Sequence, residues 1–196
     1  MELIAHRINT VKDLNDLPHI YGVELDLRDD LNGRVYIQHN PFENGEDFED
    51  YLKNYNHGTM ILNIKSERIE YKILELIKKY NIQSYFFLDS SFPMIYLLSK
   101  FGEKNIALRI SEFEGLDTAR NMAGLVNWIW LDCFTKIPVS PAEFIELKKL
   151  GYKICFVSPE LEGEEEKIEQ YKRFFDENKL ILDAVCTKSY NAFKWS

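Results

Sequence analysis

Short apolar runs of strand length recur along the chain, and most are separated by ten or so polar residues with helical periodicity. They fall at Leu3–Ala5, Gly22–Leu27, Thr59–Ile64, Tyr85–Leu88, Ile106–Ile110, Trp128–Leu131, Lys153–Val157 and Leu182–Cys186. This alternation predicts repeated βα units around a parallel sheet. After the second run, Asn32-Gly33 precedes Val35-Tyr36-Ile37 and predicts a hairpin return that delivers His39. Ser66-Glu67 is expected to open a helix in which Ile69, Ile73, Leu74, Leu76 and Ile77 share a face, with Lys78 and Lys79 at its negative end. Ser140-Pro141 with Glu143 has the cap, first-turn proline and capping-box glutamate of another helix, which Gly151 ends. Glu164–Asn178 reads as an amphipathic helix with a solvated acidic first turn.

Eight such units predict an α/β fold, a compact (β/α)₈ TIM barrel in one domain over 1–196, shorter than the roughly 250 residues typical of the architecture. Only a stub around Val11–Leu17 fits between the first two strands, and few residues follow Cys186, so the first and last helices are expected to be short or missing. An open doubly wound sheet is the alternative, but no GxGxxG or P-loop sequence supports it. Phe193 and Trp195 are expected to close the gap left by the last helix or to cross to another subunit, which leaves the oligomeric state open.

Composition narrows the partners. With 45% hydrophobic and 14% aromatic residues the chain has material for a substantial core. Its 24 basic and 32 acidic side chains give a charge of −8, and no basic run offsets it, so neither nucleic acid nor an anionic bilayer is an expected partner. Cys133, Cys155 and Cys186 lie in or beside apolar runs rather than in CxxC pairs, which suits buried thiols in a reducing compartment. The N-terminus lacks the apolar run of a signal peptide and no segment is long enough to span a bilayer, so a cytoplasmic protein without membrane insertion is expected.

The strand ends carry the chemistry. In a parallel barrel, reactive groups sit at the C-terminal ends of the strands. Here those ends carry His6 and Arg7, Asp26 and Arg28, Lys65, Asp89 and Ser90, Arg109 and Glu112, and Asp132. Glu24 and Asp26 alternate on one strand and so share a face, which is either a wet edge or the barrel mouth. Buried together, they would call for a hard cation such as Mg²⁺ or Ca²⁺, with Mn²⁺ a further candidate. His6 and His39 could supply a base and an acid near neutral pH. Arg7 and Lys65 could hold phosphoryl oxygens or instead pair with Glu24 and Asp26. His19 and His57, beside Pro18 and Gly58, read as turn residues.

The stretches Ala5-His6-Arg7-Ile8, Val23-Glu24-Leu25-Asp26, Gln38-His39-Asn40 and Asn63-Ile64-Lys65 resemble the glycerophosphodiester phosphodiesterases, a branch of the phospholipase-C-like barrels. That pattern runs His-Arg-Gly, Glu-x-Asp, His-Asp and Glu-x-Lys, and Ser90-Ser91-Phe92 resembles a further Ser-Phe element. The tight motifs cover the first third of the chain. The resemblance implies His6 and His39 in proton transfer, without saying which is base and which acid, Arg7 on phosphate, and Glu24 and Asp26 on the metal. Three positions depart from it. Ile8 replaces a glycine and is expected to bring bulk beside the phosphate, Asn40 replaces an aspartate, and Asn63 replaces a metal-binding glutamate, for which Glu112 or Asp132 is the candidate substitute from another strand.

The expected activity is metal-dependent hydrolysis of a small soluble phosphodiester, such as a glycerophosphodiester or a sugar-phosphate diester. The alternative is a barrel that binds phosphate or sugar phosphate but has lost turnover.

Overall fold

A computed structural model describes residues 1–196. Its strands are β1 (Glu2–Ala5), β2 (Gly22–Asp29), β3 (Val35–Ile37), β4 (Glu46–Asp47), β5 (Met60–Ile64), β6 (Tyr85–Leu88), β7 (Ala107–Ile110), β8 (Trp128–Leu131), β9 (Lys153–Val157) and β10 (Ala184–Thr187). Eight of them are parallel and run around a barrel in the order β1, β2, β5, β6, β7, β8, β9, β10, with β10 pairing back onto β1. The seam between β6 and β7 is a single bridge, Phe87 to Ile106, with Phe87 N–H donating to the Asn105 carbonyl at 2.9 Å. β3 and β4 extend β2 as an antiparallel ribbon, the hairpin that Asn32-Gly33 predicts.

The helices are α1 (Val11–Asp16), α2 (Phe48–Lys53), α3 (Glu70–Lys79), α4 (Phe92–Lys100), α5 (Asp117–Asn121), α6 (Pro141–Lys149) and α7 (Ile168–Glu177). α1 is the expected stub, capped by Thr10, whose hydroxyl accepts from Asp13 N–H at 3.0 Å. α6 begins with the predicted capping box and ends before Gly151, which has a φ of 93°. α3 corrects the expectation at Ser66: the helix starts at Glu70, after Arg68 has turned through a φ of 72°, and Ser66 Oγ instead accepts from Asp29 N–H. The acidic start of the Glu164–Asn178 segment is a 3₁₀ turn, and regular α-helix begins at Ile168.

Alternation sorts the strand residues into two shells. One face of each strand packs outward against the helices in a core of 45 buried residues. The other face fills the barrel with a separate cluster that includes Ile4, Ile61, Phe86, Trp128, Trp130, Cys155 and Cys186. Phe86 and Trp128 stack there at 4.4 Å. Gly22 is required by this crowding, because a Cβ on it would lie 2.6 Å from the Thr59 carbonyl oxygen and 2.9 Å from Ile4 Cγ1. All three cysteines are buried and unpaired. After β10 the chain makes a 3₁₀ turn, Ser189–Trp195, where the last helix would stand. Trp195 is buried against Phe156 and donates Nε1–H to Ser158 Oγ at 2.8 Å, so it closes that gap, whereas Phe193 is exposed.

Candidate active site

The C-terminal ends of β1, β2 and β5 and the ribbon after β2 bring His6, Arg7, Glu24, Asp26, His39, Asn63 and Lys65 together at one mouth of the barrel. The backbone turns sharply after β1: Arg7 has a φ of 56°. Its N–H donates to Glu24 Oε2 at 2.8 Å, and the next amide, of Ile8, donates to the Glu24 carbonyl at 2.9 Å. A left-handed non-glycine residue costs on the order of 1 kcal/mol or more, and these two bonds hold it in place. Ile8 itself is buried in the outer core layer, its carbonyl accepting from the Tyr51 hydroxyl at 2.9 Å. Ile8 also lines the cleft beside His6 and Arg7, while the left-handed position is Arg7.

Glu24 and Asp26 face into the barrel and are 1% and 0% exposed, which excludes a wet edge strand. Glu24 Oε1 accepts from Asn63 Nδ2 at 2.8 Å. Asp26 Oδ2 accepts from Asn9 Nδ2 at 2.9 Å, while Asp26 N–H donates to Asn9 Oδ1 at 3.0 Å, a reciprocal pair that ties the first loop to β2. Arg7 Nε lies 3.8 Å from Asp26 Oδ2, and Lys65 Nζ lies 3.6 Å from Asp26 Oδ1. Both cations thus sit beside Asp26, in the pairing that the sequence left open. Burial, and then the adjacent Asp26 charge, raise the Glu24 carboxyl above its ordinary range, against the opposing hydrogen bonds from Asn63 and Arg7.

Arg28 is spent on backbone. It donates to the carbonyls of Gln38, His39 and Lys65 at 3.2, 2.7 and 3.0 Å and so clamps the His39 loop to the end of β5. His39 Nε2 stands 2.6 Å from Arg7 Nη2, and a guanidinium can only donate, so Nε2 is the acceptor. On the other side, Nδ1 is 3.0 Å from Asn40 Oδ1, and Asn40 Nδ2 donates to Glu43 Oε1 at 3.1 Å, which turns the amide oxygen toward the ring. His39 therefore carries its proton on Nδ1.

His6 lies opposite, with Nε2 3.7 Å from Glu24 Oε2 and Nδ1 3.0 Å from Lys188 Nζ. Burial, then the charges of Lys188 and Arg7, push His6 down to about 3, so the ring is neutral and its contact with Glu24 is not an ion pair. A cleft of about 540 Å³ opens beside His6 and Arg7, bounded by Asp13, Tyr21 and Tyr190.

Across the mouth, Arg109 bonds both Asp89 and Asp132, and Lys65 Nζ reaches Asp89 Oδ2 at 3.4 Å. Burial pushes Asp132 up to about 6, although Arg109 beside it pulls the other way. Partial burial would raise Glu112, but the backbone N–H groups of Thr135 and Lys136, donating at 2.6 and 2.8 Å, hold it down at about 2. Neither Glu112 nor Asp132 supplies the carboxylate missing at Asn63, and no group of three His, Cys, Asp or Glu side chains is placed to hold a metal ion. His19 and His57 face each other at 4.7 Å, and His57 Nε2 meets the Leu17 carbonyl at 3.1 Å, apart from the mouth. Asn9 and Lys188 are the contributors that strand-end patterning passed over. Lys188 carried the needed signal, a charged residue directly after the last strand.

No protein-family model matches the sequence, and no curated protein matches it. Solved structures do. A glycerophosphodiester phosphodiesterase from Agrobacterium tumefaciens str. C58 is 16% identical, with 99% of each chain covered and a TM-score of 0.69. A glycerophosphoryl diester phosphodiesterase from Parabacteroides distasonis ATCC 8503 is 9% identical over 99% of this chain and 85% of that one, with a TM-score of 0.68. A glycerophosphoryl diester phosphodiesterase domain from Mycobacterium tuberculosis is 13% identical over 99% and 98%, with a TM-score of 0.65. With eight parallel strands, an antiparallel ribbon after the second and its polar strand ends at one mouth, the chain has the barrel fold of the glycerophosphodiester phosphodiesterases.

Proposed function

We propose that the protein hydrolyses a small, soluble phosphodiester of the glycerophosphodiester or sugar-phosphate type in the cytoplasm, by proton transfer between His39 and His6. The observation that carries this reading is the placement of two histidines at a barrel mouth, His39 Nε2 accepting from Arg7 and His6 set between Lys188 and Glu24. The Arg7 side chain is 45% exposed and rests against His39 Nε2. An arriving phosphodiester draws the guanidinium onto its oxygens, where the forked donors fit. His39 Nε2 is then free to take the proton of a neighbouring substrate hydroxyl, whose oxygen attacks phosphorus. The bond to the other alcohol breaks and the leaving oxygen takes the Nε2 proton of His6 as Lys188 passes one to Nδ1; in the return step water gives its proton back to that side, and protonated His39 returns one to the oxygen released as the cyclic phosphate opens. Lys65 adds positive charge at the strand end beside Asp26. The cleft next to His6 and Arg7 accommodates the alcohol portion.

The residues also suit a hard divalent cation. Asp26 Oδ1 and Asn63 Oδ1 are buried without hydrogen-bond partners, on residues paired across β2 and β5. Together with Glu24 they form an oxygen donor set that would hold Mg²⁺ or Ca²⁺, completed by water and substrate oxygens. When bound, such an ion neutralises charge on the phosphoryl group.

Purified protein with Mg²⁺, Ca²⁺ or Mn²⁺ is expected to cleave at least one member of a panel of glycerophosphodiesters and sugar-phosphate diesters, and His39→Ala is expected to abolish cleavage. Equal rates in the two proteins would overturn the assignment. One observation favours the second reading, a barrel that binds without turnover: Asn63 donates to Glu24 where a third carboxylate would strengthen a cation site. Saturable binding of glycerol phosphate without any product from the panel would establish that reading instead.

A further inference from the structure

We propose that Lys188 is a positioning residue that fixes which nitrogen of His6 carries the proton. Ala5 and Thr187 are register partners across β1 and β10, and His6 N–H donates to the Thr187 carbonyl at 2.9 Å, so His6 and Lys188 stand side by side just beyond the paired strands. The base of the lysine is anchored. Its backbone N–H donates to Glu160 Oε1 at 3.0 Å, and the Thr187 hydroxyl donates to the same carboxylate. From there the ammonium reaches His6 Nδ1 at 3.0 Å.

An ammonium has three donors and no lone pair, so Nδ1 must accept. The single proton of the neutral ring then sits on Nε2, which faces the mouth beside Glu24 Oε2. His39 is held the other way, with its proton on Nδ1 and the Nε2 lone pair toward Arg7. The two rings thus offer one N–H and one lone pair, and each tautomer is dictated by a different neighbour, Lys188 for His6 and Asn40 for His39. Without Lys188, only Glu24 Oε2, 3.7 Å from Nε2, would favour that tautomer, and Nδ1 would lose its donor. Only the catalytic consequence rests on the proton-transfer role proposed for His6; the tautomer does not depend on it.

Long-range ¹H–¹⁵N correlation spectra of the full-length protein labelled with ¹⁵N-histidine, recorded near neutral pH, test this directly. His6 signals are assigned by their loss in His6→Ala. Wild-type His6 is expected to show a protonated Nε2 and an accepting Nδ1, with the reverse pattern for His39. Lys188→Met is expected to shift His6 toward the Nδ1–H tautomer while leaving His39 unchanged, and Lys188→Arg, which keeps a donor, is expected to restore the wild-type pattern. An Nδ1-protonated His6 in the wild-type protein would overturn the proposal, as would an unaltered His6 spectrum in folded Lys188→Met. On a hydrolysed substrate, Lys188→Met is expected to lower kcat about tenfold or more, with recovery in Lys188→Arg, because the effect passes through His6 acid–base chemistry. Since the spectra need no substrate, a protein without hydrolytic activity would fail the function above and not this assignment.

Discussion

The two halves of the barrel mouth hold similar residues in opposite states. On the β1, β2 and β5 side, Glu24 and Asp26 are buried, yet Asp26 Oδ1 and Asn63 Oδ1 lack hydrogen-bond partners and Arg7 is half in solvent. On the β6, β7 and β8 side, Arg109 is clamped between Asp89 and Asp132, and Glu112 is consumed by backbone N–H groups. A carboxylate and an arginine at a strand end can therefore be either a site or a brace. Both halves keep an unpartnered buried acceptor, Asp132 Oδ1 in the second, so what separates them is the pair of imidazoles, His6 and His39, in the first. The larger cavity of about 580 Å³, lined by Ser90, Phe92 and Arg109, lies on the side of β6 and β7.

The comparison can be broken most sharply at His39. His39→Ala is expected to lower kcat by roughly 100- to 10,000-fold with the melting temperature unchanged, read from initial rates and a thermal melt. Comparable activity would remove the distinction between the halves. Arg109→Met should do the reverse. It leaves Asp132 buried without its partner, at a cost of roughly 3 kcal/mol in denaturant unfolding, while kcat in the surviving folded protein stays within a few-fold of wild type.

Asn63→Asp sharpens the comparison from the other side. Losing the amide donor to Glu24 and adding a like charge is expected to cost about 1–3 kcal/mol in the metal-free protein, and the stabilisation by Ca²⁺ or Mg²⁺ in a thermal melt should grow relative to wild type. Titration offers a subtler separation. Asp132 has an ordinary value of 3.8 and rises to about 6 in the fold, so the folded protein holds a proton there that the unfolded chain has released. That contribution is complete below pH 3.8 and is lost as the pH rises through about 6, so urea titrations of Asp132→Asn should show a flatter fall in stability across this window. The smallest effect belongs to Asp89, which touches Lys65 from one half and Arg109 from the other. Asp89→Asn is expected to change stability by no more than about 1 kcal/mol, because both pairs are partly in solvent.

Much of this was legible along the chain. The apolar runs mark the eight barrel strands to within two residues at either end, because alternation between a filled interior and a helix-covered exterior leaves a plain signature. Ser140 and Glu143 read correctly because a capping box is closed within four residues. Ser66 misled because its hydroxyl found a partner in Asp29, on a strand far away in sequence. At Ile8 the resemblance puts the flexible residue after Arg7, whereas here Arg7 itself takes the left-handed turn, held by Glu24 from the neighbouring strand.

The sequence by itself determined the barrel, the mouth at which the polar strand ends gather, and the identity of His6, Arg7, Glu24, Asp26, His39, Asn63 and Lys65 as candidates, since period and strand-end position are local properties. Only the tertiary structure decided what state each group is in. Asn63 as a donor to Glu24, Lys65 beside Asp26, Asn40 behind His39 and Lys188 behind His6 depend on distances between strands and loops. Protonation and hydrogen-bond direction are settled by nearest neighbours in space, and in a closed barrel the last strand lies beside the first.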